Sequence, residues 1–209
     1  MARHRTDATG CRRVAVKAAK PRVVLIGDSI RMAYQDHVVG ALTNQAEVVG
    51  PAANGGHSRR VLAHLDEWAM SRRPDLVHVN CGLHDLKRAF GEACEVPLRE
   101  YGDNVRQGLT RLQNELACKV IWASTTPVDE TQHHRNKGFD RFEADVDAYN
   151  KMATAVAGDL AVPVHDLFAV VEQRGRAQLL TSDGVHFTAE GSQFLGRAVA
   201  DCAREHLGL

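Results

Sequence analysis

A serine hydroxyl becomes a useful nucleophile only when a base removes its proton and fixed dipoles hold the oxyanion that its attack creates. Ser29 sits where both conditions can be met. It closes Gly27-Asp28-Ser29, directly after the apolar run Arg22-Val23-Val24-Leu25-Ile26. A turn from a buried strand into a helix offers free backbone N–H groups and the positive helix end to a developing negative charge. Asp28 and Ser29 suit the plain capping of that helix equally well. Far along the chain, Asp183-Gly184-Val185-His186 sets a carboxylate three residues before an imidazole. In a tight turn the two side chains face the same way, so Asp183 can orient His186 and His186 can serve Ser29 as general base. Alone, this segment also reads as a capped helix start with a surface histidine.

Groups so far apart in sequence need a scaffold to bring them together. Short apolar runs predict strands at Arg22–Ile26, Glu47–Val49, Leu76–Asn80, Lys119–Ala123 and Val162–Val164. Helical spacing predicts helices over Ile30–Leu42, Arg60–Ser71, Tyr101–Leu116, Phe142–Leu160 and Ala189–Leu207. Strands alternating with helices imply an α/β protein, a three-layer α/β/α sandwich with a five-stranded parallel sheet. Ligands bind beyond the carboxyl ends of such strands. The segments there are polar: Gly27-Asp28-Ser29, Ala53-Asn54-Gly55-Gly56-His57-Ser58, Gly82-Leu83-His84-Asp85 and Ser124-Thr125-Thr126-Pro127. Val128–Asp140, with Gln132 to Gly138 at its centre, reads as an irregular lid or binding loop.

Taken together, these blocks resemble the SGNH hydrolases, the GDSL-type esterases and lipases, over most of the chain after residue 20. The first block reads Gly27-Asp28-Ser29-Ile30, and Asn54-Gly55-Gly56-His57-Ser58 looks like the second, with Gly56 at the oxyanion-hole glycine. The third, Gly82-Leu83-His84-Asp85, carries His84 where the family has asparagine, and the fifth is Asp183 to His186. The resemblance implies a flavodoxin-like strand order 2-1-3-4-5, a catalytic Ser29, Asp183 and His186, and an oxyanion hole of Ser29 N–H, Gly56 N–H and His84. An imidazole can replace the carboxamide if the nitrogen aimed at the oxyanion carries a proton; otherwise His84 is structural and two donors remain. Implied too are an acyl-enzyme intermediate and no metal or organic cofactor. The absence of Gly-x-Ser-x-Gly argues against an α/β-hydrolase elbow.

Composition narrows the rest. The chain has 209 residues, 26 Lys+Arg against 26 Asp+Glu, 44% hydrophobic and 25% charged residues. That is ordinary globular composition with no electrostatic reason to seek nucleic acid or an anionic membrane. No apolar stretch approaches the length of a transmembrane helix. Residues 1–20 read as a basic N-terminal tail, probable disorder being the simplest reading, and 21–209 as a single SGNH hydrolase domain. Five scattered cysteines without a C-x-x-C pair, and no signal peptide, favour a reducing, cytoplasmic setting.

The expected partner is a small-molecule ester. With 5% aromatic residues a broad greasy acyl surface is not expected, which favours short acyl groups on a small or carbohydrate-like alcohol. Arg31, Tyr34, Lys87, Arg88, Arg135 and Lys137 are candidates to meet a hydroxylated or anionic substrate, or else solvated surface. Three other activities stay open. An acyltransferase would use the same acyl-enzyme; a metal-dependent phosphoesterase would use Asp28, His84, Asp85, Asp183 and His186 as ligands; a noncatalytic binding module would keep only the fold. The sequence does not separate hydrolysis from transfer, nor does it set an oligomeric state.

Overall fold

Five short strands end where the polar blocks begin. The computed structural model describes residues 19–209, so the basic tail lies outside the described residues except for Ala19 and Lys20. The strands are β1 (Arg22–Ile26), β2 (Glu47–Val49), β3 (Leu76–Val79), β4 (Lys119–Ala123) and β5 (Val164–His165). They form one sheet in the order β2-β1-β3-β4-β5, with every neighbouring pair parallel. Val23 to Ile26 of β1 and all of β3 are buried, as strands covered on both faces must be.

The cover comes from two groups of helices. Helix α1 (Ser29–Leu42) lies along α9 (Ala189–Leu207) and buries Tyr34, Val38 and Leu42. The contact is close because Gly196 has no side chain: a Cβ there would stand 2.5 Å from that of His37. Helices α2 (Ser58–Ala63), α4 (Leu98–Glu115) and α6 (Glu143–Asp159) pack together, burying Val105, Leu109, Leu112, Val146 and Tyr149.

Several expectations need correction. The helix expected over Arg60–Ser71 is three pieces: α2, α3 (Leu65–Trp68) and a 3-10 turn at Met70–Arg72. His64 leaves helical geometry between the first two, and its ring stacks on that of Trp68, with centroids 4.7 Å apart. The fourth helix starts at Leu98, before the expected Tyr101. The last strand starts at Val164, after Pro163, which has no N–H to give a ladder. Most relevant to the site, the supposed irregular loop contains α5 (Glu130–Asn136), whose first turn is capped by Asp129 accepting from Gln132 N at 3.0 Å. Its sequence, ETQHHRN, has no apolar period to reveal a helix. Helices α7 (Leu167–Arg174) and α8 (Arg176–Leu179), also unanticipated, link β5 to the turn before α9. Among the described residues no helix is long and apolar enough to cross a membrane.

Candidate active site

At the break between β1 and α1 the capping residue and the candidate nucleophile are different side chains. Asp28 is the cap, its Oδ1 accepting from Ile30 N at 2.9 Å, and Ser29 is left to project from the first helical position. Its Oγ lies 3.0 Å from His186 Nε2, and His186 Nδ1 lies 2.6 Å from Asp183 Oδ2. The turn holding the last two residues is itself built by Asp183. Its Oδ1 accepts from Thr181 Oγ1 at 2.9 Å, Val185 N at 3.0 Å and His186 N at 2.9 Å. Gly184 permits the turn, with φ at +74°; a Cβ there would stand 2.4 Å from Asp129 O. Partial burial pushes the Asp183 carboxyl up, but bonds from the His186 ring and backbone, Val185 N and Lys137 outweigh it and hold the group far below the usual carboxylate range.

Helix α5 braces that turn from outside. Asp129 N donates to Gly184 O at 2.8 Å, Asn136 Nδ2 to Ser182 O at 2.8 Å, and buried His133 bonds Asp183 O through Nδ1 at 3.2 Å. Just past the helix, Lys137 Nζ reaches Asp183 Oδ2 at 3.0 Å. None of these contacts was legible in a stretch that reads only as polar, and His134, adjacent to His133, instead meets Asp140 at 2.7 Å.

The candidate oxyanion donors differ in their present engagements. Among the described residues the Ser29 N–H makes no hydrogen bond. The Gly56 N–H, at a residue with φ of +64°, donates to Asn54 Oδ1 at 2.9 Å. His84 is half-buried; burial lowers its proton affinity, Arg141, Lys87 and His57 lower it further, and Asp28 only partly offsets them. The neutral imidazole is therefore the favoured form near pH 7.

Two polar side chains tie the blocks to one another. Asp85 is fully buried, both its oxygens accepting from Ser58 N at 2.8 and 3.0 Å, which joins the third block to the start of α2. Burial pushes its carboxyl up to about 7, against those bonds. Arg31 joins the first block to the second, donating to Ala53 O at 2.9 Å and Gln35 Oε1 at 2.9 Å, with a longer contact to Gly27 O.

The residues considered for substrate contact are thus sorted differently by packing. Arg31 and Tyr34 are buried in α1, because the inner face of that helix covers the sheet. Arg88 pairs with Asp145 and Cys94, Lys137 with Asp183, and Arg135 is exposed. Lys87 places its Nζ 4.4 Å from the centre of the Phe139 ring. Arg141, which no motif marks, lies 5.0 Å from the same ring and donates from Nε to Leu83 O at 2.6 Å, one residue before His84. The five side chains considered as metal ligands do not gather: among the described residues no three His, Cys, Asp or Glu side chains form a cluster able to hold a metal ion.

A parallel sheet in this order, with these blocks at its carboxyl edge, defines an α/β/α carboxylic ester hydrolase of SGNH type. The family model for GDSL-like lipases and acylhydrolases matches residues 25–194, and the chain belongs to that family. Among solved structures, a lipase/acylhydrolase from Enterococcus faecalis is similar at 21% identity, covering 88% of this chain and 96% of the other, with a TM-score of 0.75. The acetyl xylan esterase AlAXEase is similar at 20% identity, with 87% and 98% covered and a TM-score of 0.70. An acetylxylan esterase from Geobacillus stearothermophilus follows at 19%, 91%, 95% and 0.71 respectively. At such identities the likeness is one of fold. No curated protein matches the chain.

Proposed function

We propose that the protein is a serine esterase acting through an acyl-enzyme, with Ser29 as nucleophile, His186 as general base and Asp183 as its orienting carboxylate. The observation that carries this reading is the continuous chain Ser29 Oγ–His186 Nε2–His186 Nδ1–Asp183 Oδ2, at 3.0 and 2.6 Å. Ser29 Oγ attacks the ester carbonyl as its proton passes to His186 Nε2. The imidazolium, steadied by ionised Asp183, returns that proton to the leaving alkoxide as the C–O bond breaks. Water, deprotonated by the same nitrogen, then hydrolyses the acyl-serine.

The oxyanion rests on the Ser29 N–H and on the neutral, protonated nitrogen of His84. The Gly56 N–H joins them by exchanging its Asn54 Oδ1 acceptor for the oxyanion. A neutral donor suits the lowered proton affinity of His84 and keeps the hole working as pH rises.

We further assign to the substrate a short acyl group on a small, hydroxylated alcohol. The low aromatic content and the fold shared with two acetyl xylan esterases support this. The free cysteines Cys81, Cys94, Cys118 and Cys202 support a reducing, cytoplasmic setting. The test is hydrolysis of p-nitrophenyl acetate and longer esters by wild type, Ser29→Ala and His84→Ala, with and without chelator. Activity lost in Ser29→Ala and indifferent to chelator is expected; equal activity in wild type and Ser29→Ala would overturn the mechanism.

A further inference from the structure

Arg141 is an unusual cation for its surroundings. Only 6% exposed, it spends Nε on Leu83 O, while among the described residues neither Nη group has a hydrogen-bond partner and no carboxylate lies within ion-pair distance. Neither Nη is sealed from solvent, in contrast to the Nε atoms of Arg31, Arg72 and Arg88, which are buried without partners. The fork is therefore sheltered without being sealed. Burial pushes the guanidinium down to about 10, with Asp28 and Asp183 the carboxylates that partly offset it. A desolvated charge with free donors is costly unless an opposite charge meets it.

The surroundings point the same way. The Arg141 bond to Leu83 O sets the guanidinium next to His84 in the third block, Lys87 shares the Phe139 ring with Arg141, and both cations lower the proton affinity of His84. Lys137 adds a third positive charge on Asp183. Lys137 is paired in this way, whereas among the described residues Lys87 and Arg141 have no carboxylate within ion-pair distance. Resting on the esterase reading above, we propose that Arg141, helped by Lys87, binds a negative charge carried by the substrate. The preferred substrate is then an ester bearing a carboxylate or similar monoanion near the scissile carbonyl. A guanidinium fork suits a carboxylate because two parallel N–H donors meet its two oxygens.

Matched ester pairs test this. On the acyl side p-nitrophenyl hemisuccinate is compared with p-nitrophenyl butyrate, and on the alcohol side 4-acetoxybenzoate with phenyl acetate, each normalised to its rate with hydroxide. Wild type is expected to favour the anionic member of one pair by at least about tenfold in kcat/KM, the scale of one charged hydrogen bond. That ratio should collapse in Arg141→Lys, which keeps the charge and loses the fork, and should fall in Lys87→Gln, whose half-buried side chain carries little folding risk. Binding of monomethyl succinate to Ser29→Ala, followed by calorimetry, reads the anion site without catalysis. If wild type cleaves no ester but Ser29→Ala binds monomethyl succinate and loses it on adding Lys87→Gln, the anion site stands and the esterase reading falls. Absence of preference in both pairs together with absence of binding overturns the proposal, whether or not neutral esters are cleaved.

Discussion

In the proposed oxyanion hole His84 takes the place of a carboxamide, which would always donate, whereas an imidazole donates only from its protonated nitrogen. Because burial and the neighbouring cations lower its proton affinity, the neutral form of His84 is favoured near pH 7. The expected consequence is that His84→Ala lowers kcat by about 100- to 1,000-fold, whereas His84→Asn keeps most of it, because one oxyanion donor is worth about that much. Steady-state kinetics at pH 8 decides this. Asp183→Asn is expected to cost on the order of 10,000-fold in kcat, as loss of an orienting carboxylate does in serine proteases, with the circular dichroism spectrum unchanged. Since the Asp183 carboxyl lies far below its usual range, its ionised form persists throughout mildly acidic conditions, and acid loss of activity should track a different group.

At the scale of elements, the site depends on two braces that no motif advertises. Arg31 ties the end of β1 to the second block through Ala53 O. Arg31→Met should therefore lower stability by about 2 to 3 kcal/mol in urea unfolding, the range for lost bonds to a charged donor. It should lower kcat as well, since Gly56 follows in the freed loop. Gly184→Ala tests the other brace. With φ at +74° and Asp129 O only 2.4 Å from a Cβ, alanine must displace either α5 or the Asp183 turn. A fall in kcat larger than the fall in Tm, relative to Arg31→Met, is the expected result; an unchanged kcat would show that α5 does not position the turn. The helices with an apolar period, α4 and α9, were legible in sequence, whereas α5 was not: its role is to donate and accept hydrogen bonds at another segment, and such contacts leave no periodicity.

Across the whole molecule, a histidine pair, His78 buried and His165 half-buried, links folding to pH. His78 of β3 and His165 of β5 meet Nε2 to Nδ1 at 3.1 Å. Burial lowers the proton affinity of both, His165 to about 4, with His206 adding to the effect and Asp166 opposing it at His165. The unfolded chain therefore binds more protons than the native one at mildly acid pH, and stability rises with pH there. For His165 the contribution is fully present above the unfolded value near pH 6.5 and has fallen by roughly 2 to 3 kcal/mol at pH 4.5, with His78 acting in the same direction. Urea midpoints at pH 7.5 and 4.5 should show that loss, and His165→Gln should flatten it. Because the raised carboxyl of Asp85 acts in the opposite direction, the decisive comparison is between the two proteins: the same pH dependence in wild type and His165→Gln would mean that His165 titrates alike in both states.

The sequence by itself determined the chemistry on offer and the order of the scaffold. The serine, histidine and aspartate of the proposed triad stand in two short blocks, and alternating runs implied the parallel sheet, because periodicity and turn chemistry are local properties of the chain. Tertiary structure decided which charged groups are paired. Ser29 and His186 are 157 positions apart yet lie 3.0 Å from each other. Arg31, which looked free to meet a substrate, is buried as a brace, Lys137 is spent on Asp183, and unmarked Arg141 keeps its fork unpaired beside His84. Hydrogen bonds and ion pairs form or fail over fractions of an ångström between residues from distant segments, so only the packed chain assigns them.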